Sequence, residues 1–224
     1  MSKHIIQATN FGIAHSEWPL ISNLNWVVDE SEWIEIIGNN NSGKTSLLNA
    51  IYGHLCQCSG QLIVLDYSMI PVSKDDLASL RRKLGYAKQD SNLLKGKTLR
   101  ANLAMALNAS GRLASLSYDE IIIDLAEKFS LKDLLLREVK DLSFSQERLA
   151  SLSRALIHRP KLLLIDQSFD LLDNESRFKA IEIIQNYRVS ERMTILSTSV
   201  NSWSKEISNC KTFRLVNQSL DAMD

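Results

Sequence analysis

The chain has 224 residues with 26 basic and 26 acidic side chains, so its formal net charge is zero. This length suits one domain, or one domain with an inserted subdomain. The zero net charge argues against a general nucleic-acid binder, which usually carries a basic excess. The longest apolar runs cover only a few residues, far fewer than the roughly 18 that a membrane-spanning helix needs. No N-terminal secretory signal is visible. We therefore expect a cytoplasmic protein that binds no nucleic acid.

Three short stretches near the start, 4–9, 24–28 and 33–37, are rich in Ile, Val and Trp. This composition predicts three strands. Phe11 and Gly12 follow the first stretch and are expected in the first loop.

The stretch 38–45 reads GNNNSGKT, which is the phosphate-binding P-loop pattern. It follows the strand predicted over 33–37 and opens a helical run over 45–52, which is the context that the motif requires. Glycines let successive N–H groups point at one phosphate, and the helix start adds partial positive charge. A chance glycine-rich turn is the alternative. The predicted contacts to the nucleotide are Gly38, Asn39, Asn40, Asn41, Ser42, Gly43, Lys44, Thr45 and Ser46, with Lys44 on the β- and γ-phosphates and Thr45 on Mg²⁺.

Three cysteines fit a reducing compartment. Cys56 and Cys58 are too close for an ordinary structural disulfide, and no second Cys/His pair completes a zinc site. We interpret them as loop residues and predict a turn over 56–60. A strand over 62–65, a helix start with Ser73 as its N-cap and a strand over 84–88 follow.

From residue 90 the pattern changes to helical spacing of apolar residues, which predicts a mainly helical insert over 90–158. The run 161–166 is short, apolar and ends in a carboxylate, as in a strand buried on both faces. A helix over 175–187, a central strand over 193–197 and an edge strand over 212–216 follow.

The predicted fold class is α/β, a P-loop NTPase with a mainly parallel central sheet. An antiparallel β patch near the N-terminus and an inserted helical subdomain complete it. We expect one domain over 1–224. Its core would comprise 1–89 and 159–224, and 90–158 would form the helical subdomain.

Five stretches occur in a specific order: Phe11 before the P-loop, Gln89 after a strand, LSFSQ at 142–146, LLID at 163–166 and LLD at 171–173. This order resembles the nucleotide-binding domain of an ABC transporter over almost the whole chain. The resemblance implies binding of ATP and Mg²⁺ and a sandwich dimer with a second ATP-binding subunit, identical or different. It also implies an integral membrane permease, which would hold the chain at the inner face of the membrane. The run after Gln89 is further similar to the ATPases of lipoprotein-release, macrolide-export and cell-division complexes.

The resemblance also implies roles for individual residues. Phe11 matches the aromatic that stacks on adenine, and a core aromatic is the alternative. Gln89 matches the glutamine that contacts Mg²⁺ and the attacking water. Asp166 matches the aspartate that holds Mg²⁺, and a strand-terminal cap is the alternative. The implied metal site therefore consists of Thr45, Gln89 and Asp166.

The stretch 142–146 matches the signature, whose helix start points at the ATP held by the other subunit. Ser143, Ser145 and Gln146 are the implied contacts to that nucleotide. Asp173 matches an aspartate that communicates across the dimer.

The chain departs from the family pattern at positions that serve hydrolysis. The two signature glycines are replaced by Phe144 and Ser145, and the benzyl group should restrict close approach to a phosphate. The position of the glutamate that polarises water holds Gln167, whose amide is no useful base. The position of the switch histidine holds Ser199. We take Gln167, Ser199 and Gln89 as the candidate catalytic positions.

These departures predict a naturally degenerate site, with a laboratory substitution at 167 as the alternative. The leading function is the ATP-binding subunit of an ABC transport system with slow hydrolysis. A nucleotide-gated regulatory or scaffold subunit is the second hypothesis. A translation or DNA-repair factor of the same family is a third, and it lacks the expected tandem domains, coiled coil or basic patch.

Overall fold

The computed structural model describes residues 3–54, 57–111 and 117–223. Its strands are β1 (His4–His15), β2 (Trp18–Asp29), β3 (Trp33–Ile37), β4 (Gln57–Val64), β5 (Tyr67–Ser68), β6 (Leu84–Ala87), β7 (Leu162–Asp166), β8 (Thr194–Ser199), β9 (Cys210–Val216) and β10 (Ser219–Met223). Its α-helices are α1 (Lys44–Ile51), α2 (Lys74–Arg81), α3 (Leu99–Ala109), α4 (Tyr118–Lys128), α5 (Phe144–Leu156) and α6 (Asn174–Glu191). Short 3₁₀ turns cover 132–134, 139–141, 169–171 and 204–206.

The main sheet has the strand order β10-β9-β3-β8-β7-β6. All its pairs are parallel except β9 with β10. Strands β3, β7 and β8 are buried along their whole length, as expected when both faces of a parallel sheet are covered. The register pairs Ile37 with Ser199 and Asp166 with Thr198. The carboxyl ends of these three strands therefore meet at one edge.

The second sheet is antiparallel, with the order β2-β1-β4-β5. It shares one apolar core with α1 and with one face of the main sheet, to which Ile34 and Ile36 belong. Trp33 belongs to the other core, which holds buried residues of α3, α4, α5 and α6. Because side chains alternate along β3, the strand faces both cores. The predicted mainly parallel sheet, antiparallel patch and intervening helices are thus confirmed.

Three local predictions are wrong. Residues 57–60 lie in β4, although a turn was predicted, because this stretch pairs with β1; Cys56 lies outside the described residues. Strand β9 is not an edge strand, because β10 folds back antiparallel and covers it. Phe11 and Gly12 lie within β1, not in a loop.

The segment between β6 and β7 contains α3, α4 and α5. Each begins at a hydroxyl N-cap, Thr98, Ser117 or Ser143, whose side chain accepts a backbone N–H. The helical character of the insert is confirmed, while its limits as a subdomain stay a prediction. No helix in the described ranges is long and apolar enough to cross a bilayer.

Candidate nucleotide site

The P-loop connects the carboxyl end of β3 to the start of α1. Gly43 has φ 103° at the N-cap, a conformation that favours glycine. A Cβ on Gly38 would lie 2.8 Å from the carbonyl oxygen of Leu215 in β9, so this position requires close backbone approach. The N–H groups at the start of α1 form a site suited to an anion.

Lys44 folds back over its own loop. Its Nζ donates to the carbonyl oxygens of Gly38 at 2.7 Å and Asn39 at 2.8 Å. Burial lowers the pKa of Lys44, and the negative charges of Asp166 and Asp170 oppose that shift. Phosphate oxygens suit this ammonium better than neutral carbonyls do, because hydrogen bonds between charged groups are stronger.

Asp166 lies at the end of β7 and is 1% exposed. Its Oδ1 accepts hydrogen bonds from Thr45 Oγ1 at 3.1 Å and Thr198 Oγ1 at 2.8 Å. Burial raises the pKa of Asp166, and these hydrogen bonds and Lys44 oppose the shift. A neighbouring cation would favour its charged form in the same way.

The donor set fits Mg²⁺. A hydroxyl and a carboxylate are the hard oxygen ligands that this ion takes, and it commonly completes its shell with water and phosphate oxygens. Among the described residues no cluster of three or more His, Cys, Asp or Glu side chains is placed to hold a metal.

Gln167 follows Asp166 with φ 49°. Its N–H donates to the carbonyl oxygen of Thr198 at 3.0 Å. Its side chain lines a cavity of about 800 Å³ together with Lys44, Thr45 and Gln89. The structure thus brings Gln167 and Gln89 to the P-loop, as the sequence suggested, while their chemical roles stay predictions.

Ser199 is not brought into this cavity, so its placement there was wrong. It is 1% exposed, and its Oγ donates to Glu35 Oε1 at 3.1 Å. Glu35 and Ser199 lie on the same sheet face as Trp33, whereas Thr198 faces Asp166 and the P-loop. The side chain therefore points to the face opposite the nucleotide site.

Phe11 does not stack on adenine in this structure. It is fully buried, in the core that β1 shares with α1, so a base has no access to its ring. Sequence reasoning missed Trp18, which is 78% exposed and lines the P-loop cavity. The signal available in the sequence was a tryptophan that is followed by Pro19 and lies between the strands predicted over 4–9 and 24–28.

The signature segment begins α5. Ser143 Oγ accepts from the N–H of Gln146 at 3.3 Å, and Gln146 Oε1 accepts from the N–H of Ser143 at 2.9 Å. Both side chains are thus engaged in a capping box. Phe144 is 54% exposed and lines a cavity of about 600 Å³ with Thr45, Gln89 and Asp166. The predicted contacts of Ser143, Ser145 and Gln146 to a second subunit's nucleotide stay predictions.

Asp173 caps α6 and accepts from the N–H of Ser176 at 2.9 Å. Hydrogen bonds from Ser176 hold its pKa below the ordinary value. Its implied role across a dimer stays a prediction.

The family model for ABC transporters matches residues 21–170. The chain belongs to the ABC transporter family. The match covers the P-loop, the signature and Asp166, so the geometry described above is that of an ABC nucleotide-binding domain.

Relatives of this ABC domain carry transporter names. It is 28% identical over 201 residues to the energy-coupling factor transporter ATP-binding protein EcfA1 of Streptococcus mutans, covering 88% of this chain and 70% of that protein. It is 29% identical over 177 residues to the ABC transporter ATP-binding protein YxdL of Bacillus subtilis, covering 79% and 68%. Against the methionine import ATP-binding protein MetN 2 of Pseudomonas syringae the identity is 27% over 186 residues, covering 83% and only 56% of that longer protein.

The fold matches that of solved ABC cassettes. The ATP-binding cassette MJ0796, solved as a dimer bound to ADP and Pi, superposes with a TM-score of 0.86 at 20% identity over 96% of each chain. The ATP-binding subunit of an ABC transporter gives a TM-score of 0.85 at 20% identity over 98% of this chain and 90% of that one. These likenesses confirm the P-loop NTPase fold of this ABC domain.

Lys44→Ala tests the P-loop. ATP with Mg²⁺ should raise the melting temperature of the unchanged ABC domain, because a ligand at 100 times its Kd stabilises the native state by about 2.7 kcal/mol. Thermal unfolding should show no such shift for Lys44→Ala. Lys74→Ala, an exposed lysine on α2, is the matched control and should retain it. An equal shift in both variants would remove Lys44 from the site.

Alanine variants of Trp18 and Phe11 distinguish a side chain that stacks on adenine from one that packs in the core. Trp18→Ala should weaken ATP binding by about 1–3 kcal/mol, by analogy with base stacking on aromatic side chains. The stability of its nucleotide-free form should barely change, since the ring is exposed. Phe11→Ala should lower the free energy of unfolding by about 3–5 kcal/mol, because it empties a core position. Calorimetric titration and denaturant unfolding measure the two effects; the reverse pattern would restore Phe11 as the adenine contact.

Proposed function

We propose that this chain is the ATP-binding subunit of an ABC transport system, located at the inner face of the cell membrane. It would bind MgATP, close as a dimer with a second ATP-binding subunit, and move a separate membrane permease. The observation that carries this proposal is the meeting of Lys44, Thr45 and Asp166 at the P-loop. The names of the relatives support it.

Different residues of the site would bind the phosphates and Mg²⁺. The P-loop N–H groups and Lys44 would hold the phosphates, and Thr45 and Asp166 would hold Mg²⁺. Mg²⁺ held by Thr45 and Asp166 would neutralise negative charge on the phosphates. Gln89 and Gln167 would orient water beside them. Binding energy alone can drive motion if ATP favours the closed dimer over the open one.

We infer slow hydrolysis from the two positions that lack a proton-accepting group. Gln167 faces the cavity but its amide accepts a proton poorly. Ser199 is committed to the buried carboxylate of Glu35, which also accepts from Ser202 Oγ and from the N–H of Trp203, both at 2.8 Å. A buried carboxylate needs these donors. These contacts favour a natural serine at position 199, and the missing imidazole there supports the second candidate, a nucleotide-gated regulatory subunit.

A basic groove favours a carboxylate-rich partner. A cavity of about 620 Å³ lies between α1, α2, β6, α3 and α5, and no Asp or Glu lines it in the described part of the chain. Its cationic or imidazole side chains are His54, Arg81, Arg82, Lys88, Arg154 and His158. Because the whole chain has zero net charge, this concentration of positive charge is local. We propose that an acidic cytoplasmic segment of the permease docks here, with Met105 and Leu94 as apolar contacts.

Gln167→Glu tests the degenerate site. A positioned general base contributes roughly 10²- to 10⁴-fold, and we expect a gain at the lower end because position 199 and the signature stay altered. Gln167→Ala supplies no carboxylate and should show no gain. Steady-state phosphate release from the purified chain measures both. Rapid turnover by the unmodified chain would contradict slow hydrolysis, and full rescue by Gln167→Glu would show that the rest of the site is competent.

Arg82→Glu tests the basic groove. Arg82 is exposed on the groove wall, and reversing its charge should reduce binding to membranes of the source cells, with a stronger effect at low salt. Arg137→Glu reverses an exposed arginine outside the groove and is the matched control. Cosedimentation with membrane vesicles measures the bound fraction. Equal losses in both variants would indicate general attraction to the membrane surface in place of docking at the groove.

A further inference from the structure

Helix α5 holds the segment 89–92, which follows β6. Side chains on one face of α5 donate to carbonyl oxygens of this segment: Arg148 to Gln89, Ser151 to Ser91 at 3.1 Å, and Arg154 to Ser91 at 2.9 Å and to Asn92 at 2.6 Å. A further hydrogen bond joins Ser91 Oγ to Glu147 on the same helix. The segment is thus attached to α5 at three of its four residues.

The backbone of the segment is in an unfavourable conformation. Ser91 has φ 50° and Asn92 has φ 53°, both in the left-handed region and neither a glycine. Such residues persist only where surrounding contacts determine the conformation. Because Ser91 is 1% exposed and holds contacts from three side chains of α5, that helix supplies the determining contacts.

Arg148 is the contact nearest to the nucleotide cavity. It is 9% exposed, and burial lowers its pKa. Within the described ranges its guanidinium forms no ion pair with a carboxylate, and its Nε is buried without a hydrogen-bond partner. Among the described residues its hydrogen-bond acceptor is one neutral carbonyl, and burying a cation with so little compensation is costly, although the charges of Glu147 and Asp90 oppose the effect of burial on its pKa. A buried arginine at this position is understandable if its hydrogen bond to the carbonyl oxygen fixes the position of Gln89.

Phe144 covers this arginine. The guanidinium carbon of Arg148 lies 4.6 Å from the centroid of the Phe144 ring, and stacking of this kind limits the freedom of a guanidinium. Both side chains line the cavity that Thr45, Gln89 and Asp166 also line. The benzyl group at the position of a signature glycine therefore contacts Arg148 within its own subunit.

We propose that Arg148 is a positioning residue for Gln89, held in place by Phe144, and that the segment 89–92 moves with α5 as one unit. This inference rests on the proposed MgATP site for its consequence, since Gln89 would be presented to the metal-bound nucleotide. The attachment itself belongs to the nucleotide-free chain. The two parts can therefore be measured separately.

Hydrogen exchange of the nucleotide-free chain tests the attachment. Arg148→Gln and Phe144→Leu should each accelerate amide exchange over 89–92, by about tenfold and threefold respectively, because losing a charged hydrogen bond is worth about a factor of ten. Arg188→Gln is the matched control: Arg188 is 7% exposed and donates to the carbonyl oxygen of Asn209 from α6. It should leave exchange over 89–92 unchanged. Unchanged exchange in both test variants would overturn the attachment.

The Mg²⁺ dependence of ATP binding tests the positioning. The ratio of ATP affinity in Mg²⁺ to that in EDTA should fall about fivefold in Arg148→Gln, and Arg148→Lys should recover part of it. The double variant with Gln89→Ala should lose no more than Gln89→Ala alone, since both changes act through one side chain.

Equal losses with and without Mg²⁺, or additive losses in the double variant, would show that Arg148 serves stability alone and would overturn the positioning role. Absence of ATP binding by the unchanged chain would refute the proposed function, and hydrogen exchange would then still decide whether the attachment exists.

Discussion

The carboxylate of Asp166 connects three parts of the fold that are distant in sequence. It accepts from Thr45 at the start of α1 and from Thr198 in β8, so the P-loop helix and two central strands meet at one buried group. A buried carboxylate is tolerated only with such donors. Parallel pairing of β7 with β8 aligns their carboxyl ends and thereby makes the contact possible. The position of Asp166 thus depends on strand register as much as on the P-loop.

The two faces of the main sheet serve different purposes. Thr198 and Asp166 face α1 and the P-loop, whereas Glu35, Ser197 and Ser199 face the other core. On that second face, Glu35 fixes Ser199 and the segment after β8. Asp170 adds to this arrangement by accepting from the N–H of Val200 and the indole of Trp203, at 2.8 and 2.9 Å. The segment that follows β8 is therefore held by the carboxylates of Glu35 and Asp170.

Helix α5 links the surfaces on which the proposed function depends. Its first turn carries the signature, Arg148 reaches the segment at Gln89, and Arg154 contacts Asn92 at the wall of the basic groove. The same helix therefore contacts both the nucleotide cavity and the basic groove. Phe144, which replaces a signature glycine, adds a ring contact with Arg148 that a glycine could not make.

The sequence by itself determined the features that depend on residues close together along the chain. The P-loop, its flanking strand and helix, the N-cap Ser73 and the apolar strand ending at Asp166 are all local patterns, and the structure has each of them. The family followed from the order of the motifs. Slow hydrolysis and the permease are still predictions, because they concern events that one chain's fold does not display.

Only the tertiary structure decided which side chains reach the cavity. Phe11 is in the core because β1 continues past residue 9 to pair with β4, and that pairing is not visible in a local pattern. Ser199 points away because its direction depends on the alternation of β8 and on Glu35 in a neighbouring strand. Arg148 contacts Gln89 across 59 residues of sequence, and Trp18, at the start of β2, lines the same cavity as the P-loop. Such contacts arise when separate elements pack together, so their partners are chosen by the fold and not by adjacency in the sequence.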